Sequence, residues 1–353
     1  MTLRFLFLQS LLLVLVAACG ARKHDDAPSG DITPPPPPPK STKPHSTALR
    51  REMTLAECRA EIAARVFRTA GLNGSWDYDE AELGPADPAY AARIARQLDR
   101  MPPYIADTFC SFDRIIVLDT AYFTGMVHVV PYDRRYETEV PLFLNRRIFR
   151  LEAEPTFSRQ AQLLFTGTIE EPSADPALPH AKMSGEADPD AALFDVLVHE
   201  TAHIIDAFNP KLGVASEEAG SFGGLSWQRG TQGAMSWQLR PEIDFPYRFK
   251  YSDVVSHLNL VPVSEAGTVF ARLDRSNLVT TYACVNPNED FAETVSAWVS
   301  TRMLRTKVSL IMSDGTIYGH LDRIDTAPLA TKKAFVESRV AGAKLDTKHV
   351  VKP

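Results

Sequence analysis

Long apolar runs, basic runs and cysteines are all scarce in this chain of 353 residues. The apolar run from Phe5 to Val16 is too short to span a bilayer as a permanent helix. There is no basic run, and the net charge is −6, so the electrostatic footprint of a nucleic-acid-binding protein is missing. The four cysteines allow few disulfides. These absences predict a protein that has no nucleic-acid partner and little covalent cross-linking.

The N-terminus has the pattern of a signal peptide. Arg4 precedes the apolar run, and the run ends in Leu15-Val-Ala-Ala-Cys19-Gly20. This ending resembles a bacterial lipobox, which implies that Cys19 becomes the lipidated first residue of the mature chain. The alternative is ordinary signal cleavage of a soluble secreted protein. With Gly20 after the cysteine, the resemblance implies membrane attachment through the lipid and a place in the bacterial cell envelope, on the outer membrane facing the periplasm or the cell surface.

The segment after Cys19 is a predicted tether. Six consecutive prolines, Pro34 to Pro39, lie among Ser, Thr, Asp and Lys, and residues 20–50 have almost nothing apolar to bury. Such a segment forms a semi-rigid, disordered spacer. The body that follows, from residue 51, is long enough to bury a sizeable core.

Helical and strand patterns succeed each other in the first part of the body. Thr54-Leu-Ala-Glu57 is a capping box that predicts a helix ending at Gly71, and a second helix is predicted from about Asp87 to Arg100. Three short strands rich in Ile, Val and Phe are predicted at 114–119, 126–130 and 140–145. Because Pro141 has no backbone N–H, the third strand is predicted to lie at a sheet edge. The pattern predicts an α+β fold.

A metal-binding motif, His199-Glu200-Thr-Ala-His203, lies within a helical apolar pattern that Asp188 or Asp190 is predicted to cap. At a spacing of four, the two histidines project from one helix face and both reach an ion about 2 Å away. Glu200 is rotated by roughly 100° and is suited to hold a water that the metal activates. The motif predicts a zinc hydrolase site.

A third zinc ligand is required, and the sequence offers several candidates. Asn209 stands where one class of zinc peptidases has a third histidine, which excludes that class. Asp206 lies on the histidine face, and it is better placed to orient a ligand imidazole than to bind the metal. Downstream, a helix that Asn288 is predicted to cap carries Glu289 and Glu293 on one face at a spacing of four.

Two blocks, HETAHIID at 199–206 and TYACVNPNEDFAE at 281–293, resemble the catalytic domain of anthrax toxin lethal factor and related bacterial gluzincins. Those proteins have HExxHxxD, then a tyrosine, six residues and ExFAE. The resemblance implies one Zn²⁺ per chain, bound by His199, His203 and Glu289. It also implies Glu200 as the general base and Tyr282 facing the oxyanion, and Glu293 is expected to orient a ligand histidine.

The resemblance implies a zincin-like α+β fold: a small mixed sheet with an edge strand above the HExxH helix, and a second helix carrying the third ligand. It implies a zinc metallopeptidase that hydrolyses peptide or protein substrates in the cell envelope. Two alternatives stay open: a catalytically silent envelope-binding lipoprotein with this fold, and a cell-wall peptide amidase. The predicted organisation starts with a lipoprotein signal peptide at 1–18 and a lipid-anchored Pro-rich tether at 19–50. An N-terminal helical and sheet part follows at 51–185, then a lobe with both ligand helices at 186–345 and a tail at 346–353.

The connection between the two blocks is longer than in compact members of that family, so 210–280 is expected to hold an insertion. Trp227 and Trp237 flank a polar, Gly-containing segment, which predicts a hairpin with paired tryptophans. With Cys19 acylated, at most one disulfide can form, and Cys58 with Cys110 is the expected pair because Cys284 lies near the predicted metal site.

Overall fold

The computed structural model describes residues 54–72, 78–119, 124–127, 140–150, 152–166, 172–230, 236–247 and 260–341. Its helices are α1 Leu55–Arg65, α2 Pro88–Leu98, α3 Pro103–Phe109, α4 Ala153–Thr166, α5 Ala191–Phe208, α6 Ala266–Arg275, α7 Pro287–Met303 and α8 Ala330–Arg339. Its strands are β1 Val66–Thr69, β2 Gly84–Pro85, β3 Arg114–Leu118, β4 Gly125–Val127, β5 Pro141–Asn145, β6 His180–Gly185, β7 Trp227–Arg229, β8 Trp237–Leu239, β9 Thr306–Ile311 and β10 Ile317–Gly319. The fold is α+β, as predicted.

The larger sheet is mixed and has five strands in the order β2-β1-β3-β5-β4. The three inner strands run parallel, and the strands at both edges run antiparallel to their neighbours. The prediction that β5 forms an edge was wrong, because β5 lies between β3 and β4. Pro141 is tolerated there because it is the first residue of the strand, where it lies opposite Arg114 of β3.

The edge strand on that side is β4, which was predicted as 126–130. Residues 128–130 of that prediction lie outside the described part of the chain. Gly125 of β4 pairs with Leu144, and Val127 pairs with Leu142. This edge packs over helix α5, as the close approach of Gly125 to Val196 shows.

Helix α1 begins with the predicted capping box: the hydroxyl of Thr54 accepts from the N–H of Glu57, and the carboxylate of Glu57 accepts from the N–H of Thr54. The helix ends at Arg65 rather than Gly71. The residues after it join the sheet as β1, with Val66 opposite Ile115. Pairing with a buried neighbouring strand outweighs the weak local preference for continuing the helix.

The expected disulfide, Cys58 to Cys110, is present and joins α1 to the end of α3. Cys284 is a buried thiol. Helix α2 ends at Leu98, close to the predicted Arg100. Within the described residues, no helix has the length and apolar character needed to cross a membrane.

The caps of α5 and α7 differ from those expected. Asp190 occupies the N-cap position of α5, but its carboxylate makes no capping bond and instead accepts from Arg93 and Gln97 of α2. Helix α7 is capped by Asn286 rather than Asn288. Pro287 occupies the first turn, where its missing N–H is not needed, and this moves the cap upstream.

The predicted tryptophan hairpin is formed by β7 and β8. Its tryptophans do not face each other: Trp227 pairs with Leu239, and Trp237 pairs with Arg229. The guanidinium of Arg229 lies 4.0 Å from the ring centroid of Trp237, while Trp227 is almost completely buried. The two rings therefore lie at opposite ends of the hairpin, and the prediction of a Trp–Trp pair was wrong.

Candidate metal centre

Helix α5 carries His199 and His203 one turn apart, as their spacing of four requires. Their Nε2 atoms are 3.2 Å apart and their rings are inclined at 78°. The helix has apolar residues on most sides and is buried along most of its length, so packing holds its axis against the rest of the core. The two imidazoles therefore converge on one point beside the helix.

Helix α7 brings Glu289 to the same point. The side chain of Asn286 accepts from the backbone N–H groups of Asn288 and Glu289, at 2.8 and 2.9 Å, and so fixes the first turn of the helix. The Oε2 atom of Glu289 lies 3.3 Å from His199 Nε2 and 3.5 Å from His203 Nε2. Ligand types from two segments far apart in the sequence thus meet in space.

The three atoms fit a metal ion. Two ligand atoms that each lie about 2.0–2.1 Å from a tetrahedral zinc are about 3.3–3.4 Å apart, and the observed separations are 3.2, 3.3 and 3.5 Å. Among the described residues, Glu289 Oε2 is buried and has no hydrogen-bond partner of good geometry. A buried carboxylate oxygen without such a partner is costly unless something else satisfies it, and a cation does so.

Glu293, one turn after Glu289, supports the first histidine. Its Oε1 atom lies 2.8 Å from His199 Nδ1, and its Oε2 atom accepts a hydrogen bond from the hydroxyl of Thr280 at 2.6 Å. Holding the proton on Nδ1 leaves the Nε2 lone pair directed at the centre. The contact places Glu293 beside the ligand histidine that it was expected to orient.

Asp206 lies near the end of α5. Its carboxylate accepts a hydrogen bond from the side chain of Asn288 at 2.5 Å. The bond links the first turn of α7 to α5 next to Glu289. Burial of the carboxyl raises the pKa of Asp206 to about 6, although the bond from Asn288 opposes this shift.

The charges around the centre favour a cation. Burial works against the imidazolium of His199, but the neighbouring carboxylates of Glu289 and Glu293 outweigh it and raise the pKa of this histidine well above its ordinary value. Burial likewise opposes ionisation of Glu289, but the two facing imidazoles hold the pKa of its carboxyl well below the usual range. Positive charge at the point where these groups meet is therefore strongly stabilised.

Glu200 is buried beside the centre, under the edge strand of the larger sheet. A β-carbon at position 125 would lie 2.7 Å from Glu200 Oε1 and from Val196 Cγ1, so glycine lets the backbone of β4 come this close without displacing either side chain. Burial raises the pKa of Glu200, and the nearby histidines oppose the shift. The sequence offered no sign that Gly125 would contact this carboxylate, because the contact joins a strand to a distant helix.

Tyr282 begins a short 3₁₀ turn, Tyr282–Cys284, ahead of α7. Its ring centroid lies 6.2 Å from that of His199, and the side chain is half-buried. The structure thus brings His199, His203 and Glu289 to one point, with Glu200 buried beside them and the ring of Tyr282 next to that of His199.

Three polar residues near the centre had no sequence signal. Thr280 holds Glu293, and Asp195 on α5 accepts hydrogen bonds from Ser296 and Ser300 of α7 at 2.5 and 3.0 Å. Asp290, next to Glu289, is completely buried. Asp195 and Asp290 look like ordinary helix carboxylates in the sequence, because the partners that explain their burial come from distant segments.

Comparisons of the chain with protein-family models, with curated proteins and with solved structures found no match. The assignment of the centre therefore rests on its own geometry. Within the described residues, His199, His203 and Glu289 are the one group of His, Cys, Asp or Glu residues arranged to hold a metal ion. The chain is an α+β protein with a His-x3-His helix and a second, packed helix that completes a possible metal-binding triad.

Proposed function

We propose that this protein is a zinc-dependent metallopeptidase that hydrolyses peptide bonds in the bacterial cell envelope. The observation that carries the proposal is the meeting of His199, His203 and Glu289 at separations that suit a tetrahedral metal, with the buried carboxylate of Glu200 beside them. Two imidazoles and one carboxylate form the donor set of catalytic zinc sites, which keep a fourth position open. When bound, zinc supplies a Lewis acid that polarises a carbonyl and makes water acidic enough to react near pH 7.

Glu200 is the proposed general base. It follows His199 directly, so its carboxylate is turned away from the ligand direction but stays within the same buried space. From there it takes a proton from the attacking water and passes it to the leaving amine. The backbone at Gly125 restricts where this carboxylate can move, which holds it in position for the transfer.

Tyr282 is the proposed oxyanion donor, and Glu293 is proposed to orient His199. The phenol belongs to a half-buried side chain whose ring lies near that of His199, which supports a role for the O–H beside the reacting carbonyl. The bond from Nδ1 of His199 to Glu293 keeps this imidazole in the tautomer that presents Nε2.

The envelope location is part of the same proposal. The N-terminal segment resembles a lipoprotein signal with Cys19 as the lipidated residue. The disulfide between Cys58 and Cys110 supports an oxidising compartment outside the cytoplasm. Replacing Cys19 by Ser should release the protein from membranes on fractionation, and a wild-type protein that is already soluble would contradict the lipid anchor.

The catalytic proposal is tested with Glu200→Gln in the full chain. The variant should keep one zinc but lose hydrolysis of a denatured-protein or unbiased peptide library, because the amide keeps the shape yet cannot accept the proton. Tyr282→Phe should lower turnover by a smaller factor, on the order of a hundredfold, because one oxyanion donor is lost. Glu242→Gln, at an exposed position outside the centre, is the matched control and should change neither zinc content nor turnover.

Two outcomes would contradict the proposal. A wild-type protein without zinc would remove its basis. A wild-type protein that holds zinc but cleaves nothing in the library would favour a silent binder or an amidase that acts on cell-wall peptides, and an assay on purified peptidoglycan separates these two.

A further inference from the structure

Asp290, the residue after Glu289, takes part in a buried ion pair that the proposed chemistry does not use. Its carboxylate is completely buried, and both oxygens lie 2.6 Å from Nζ of Lys332 on α8, which is itself 1 % exposed. The indole N–H of Trp227 donates to the same carboxylate at 2.9 Å. The ammonium of Lys332 also lies 5.4 Å from the ring centroid of Phe222.

A contribution to stability does not by itself explain this pair. Removing two charges from water costs much of the energy that their attraction returns, and apolar residues of similar size often serve a core as well or better. What a buried pair with several hydrogen bonds does supply is direction, because its geometry is defined on both sides. Asp290 therefore fixes the rotation of α7 about its own axis more firmly than apolar packing would.

The position of Asp290 in the helix makes this rotation matter. Successive residues of an α-helix point about 100° apart. Asn288 binds Asp206 of α5, Glu289 faces the two histidines, and Asp290 points to Lys332. A small rotation of α7 about its axis that broke the ion pair between Asp290 and Lys332 would therefore also move Glu289 away from the imidazoles.

The partners of Asp290 lie outside both motif blocks. Trp227 belongs to the hairpin in the insertion between the blocks, and Lys332 belongs to α8 near the C-terminus. We infer that Asp290 is a positioning residue for Glu289, and that Trp227 and Lys332 make the insertion and the C-terminal helix part of the framework that sets metal affinity. The inference rests on the metal-binding part of the proposed function and is independent of the reaction.

The test is the double variant Asp290→Asn with Lys332→Met, made in the detergent-solubilised full chain. It removes both charges together, so no unpaired charge is buried, and the asparagine still offers Trp227 an acceptor. Affinity for Zn²⁺ should fall by about 10–100-fold, the usual effect of losing a group that orients a ligand. The visible absorption of the Co²⁺-substituted protein, which reports ligand geometry, should change, while the unfolding temperature stays near that of the wild type.

A matched control lies on the same helix. Lys333 pairs with Asp325 at 2.7 Å in an exposed ion pair. The double variant Asp325→Asn with Lys333→Met makes the same two chemical changes in an ion pair whose lysine is next to Lys332, and it should leave Zn²⁺ affinity and the Co²⁺ spectrum as in the wild type. A loss in this control equal to that in the Asp290 variant would contradict a specific role for the buried pair.

The outcomes separate this inference from the function on which it rests. A wild-type protein that binds neither Zn²⁺ nor Co²⁺ contradicts the metal centre itself. A folded Asp290 and Lys332 double variant with wild-type affinity and spectrum overturns the inference alone. If that variant does not fold, Trp227→Phe removes one donor and keeps the ion pair: an affinity loss of about tenfold supports the inference, and unchanged affinity overturns it.

Discussion

The two helices that meet at the candidate metal centre are held in place by different forces. Helix α5 is buried mainly through apolar residues, among them Leu193, Leu197 and Ile204, and its N-terminus has no side-chain cap. Helix α7 has a side-chain cap, Asn286, and its buried polar residues Asp290, Ser296 and Ser300 form hydrogen bonds to other elements. Apolar burial is non-directional, whereas hydrogen bonds fix orientation.

The difference corresponds to what each helix must achieve. The histidines of α5 have their relative positions defined by the helix itself, so α5 needs only to stay packed in the core. Glu289 of α7 must reach a point defined by another helix, so the rotation and height of α7 both matter. The polar contacts of α7, including those from Ser296 and Ser300 to Asp195, specify this orientation.

The largest expected effect on stability comes from removing apolar packing around α5. Leu197→Ala, at a completely buried position on α5, should lower the free energy of unfolding by about 2–5 kcal/mol, because it removes apolar contacts and leaves a cavity. Denaturant unfolding measures the loss. Ile317→Ala, which truncates a side chain that is 64 % exposed, is the control and should change stability by less than about 0.5 kcal/mol. Similar effects in both variants would show that α5 does not depend on apolar burial.

A smaller effect is expected from the polar contact between the helices. Burial raises the pKa of Asp195 to about 6, above its value in an unfolded chain, with Glu293 adding to the shift. The folded state therefore binds the proton more tightly, and wild-type stability falls relative to Asp195→Asn as the pH rises from about 4 through about 6. The gap should grow by roughly 3 kcal/mol between pH 4 and pH 8, since one pKa unit corresponds to about 1.4 kcal/mol.

The measurement is denaturant unfolding of both proteins across this pH range. The asparagine keeps an oxygen that accepts from Ser296 and Ser300, so the hydrogen bonds are disturbed little. Other titrating groups are common to both proteins and largely cancel in the difference. A difference in stability that stays constant from pH 4 to pH 8 would mean that Asp195 ionises as readily in the folded state as in the unfolded one.

The smallest expected effect on stability sharpens the comparison most. Asn286→Ala removes the cap of α7 and should cost about 1 kcal/mol in the free energy of unfolding, as should Thr54→Ala, which removes the cap of α1. Only Asn286→Ala should also weaken Zn²⁺ binding, because this cap orients the turn that carries Glu289. Thermal unfolding and metal titration of the two variants measure both quantities. Equal Zn²⁺ affinity in the two variants would show that Asn286 stabilises α7 without orienting Glu289.

Local spacing was enough to predict the first half of the centre. A helix places residues four apart on one face whatever the rest of the fold does, so His199 and His203 could be paired from the sequence. The capping box at Thr54 and the three short strands β3, β4 and β5 were likewise local patterns. The disulfide between Cys58 and Cys110 was expected because Cys284 lies near the predicted metal site, and it is present.

The third residue of the candidate metal-binding triad depended on tertiary structure. Glu289 and Glu293 occupy the same face of α7, and their spacing alone does not distinguish them; the packing of α7 against α5 places Glu289 at both imidazoles and Glu293 at the far nitrogen of His199. Tertiary structure also decided which strand forms the edge of the sheet, because strand order depends on pairing between distant segments. Pro141 is compatible with an inner strand because it is the first residue of that strand. A sequence window encodes hydrogen bonds within one element, whereas contacts between elements depend on how the whole core packs.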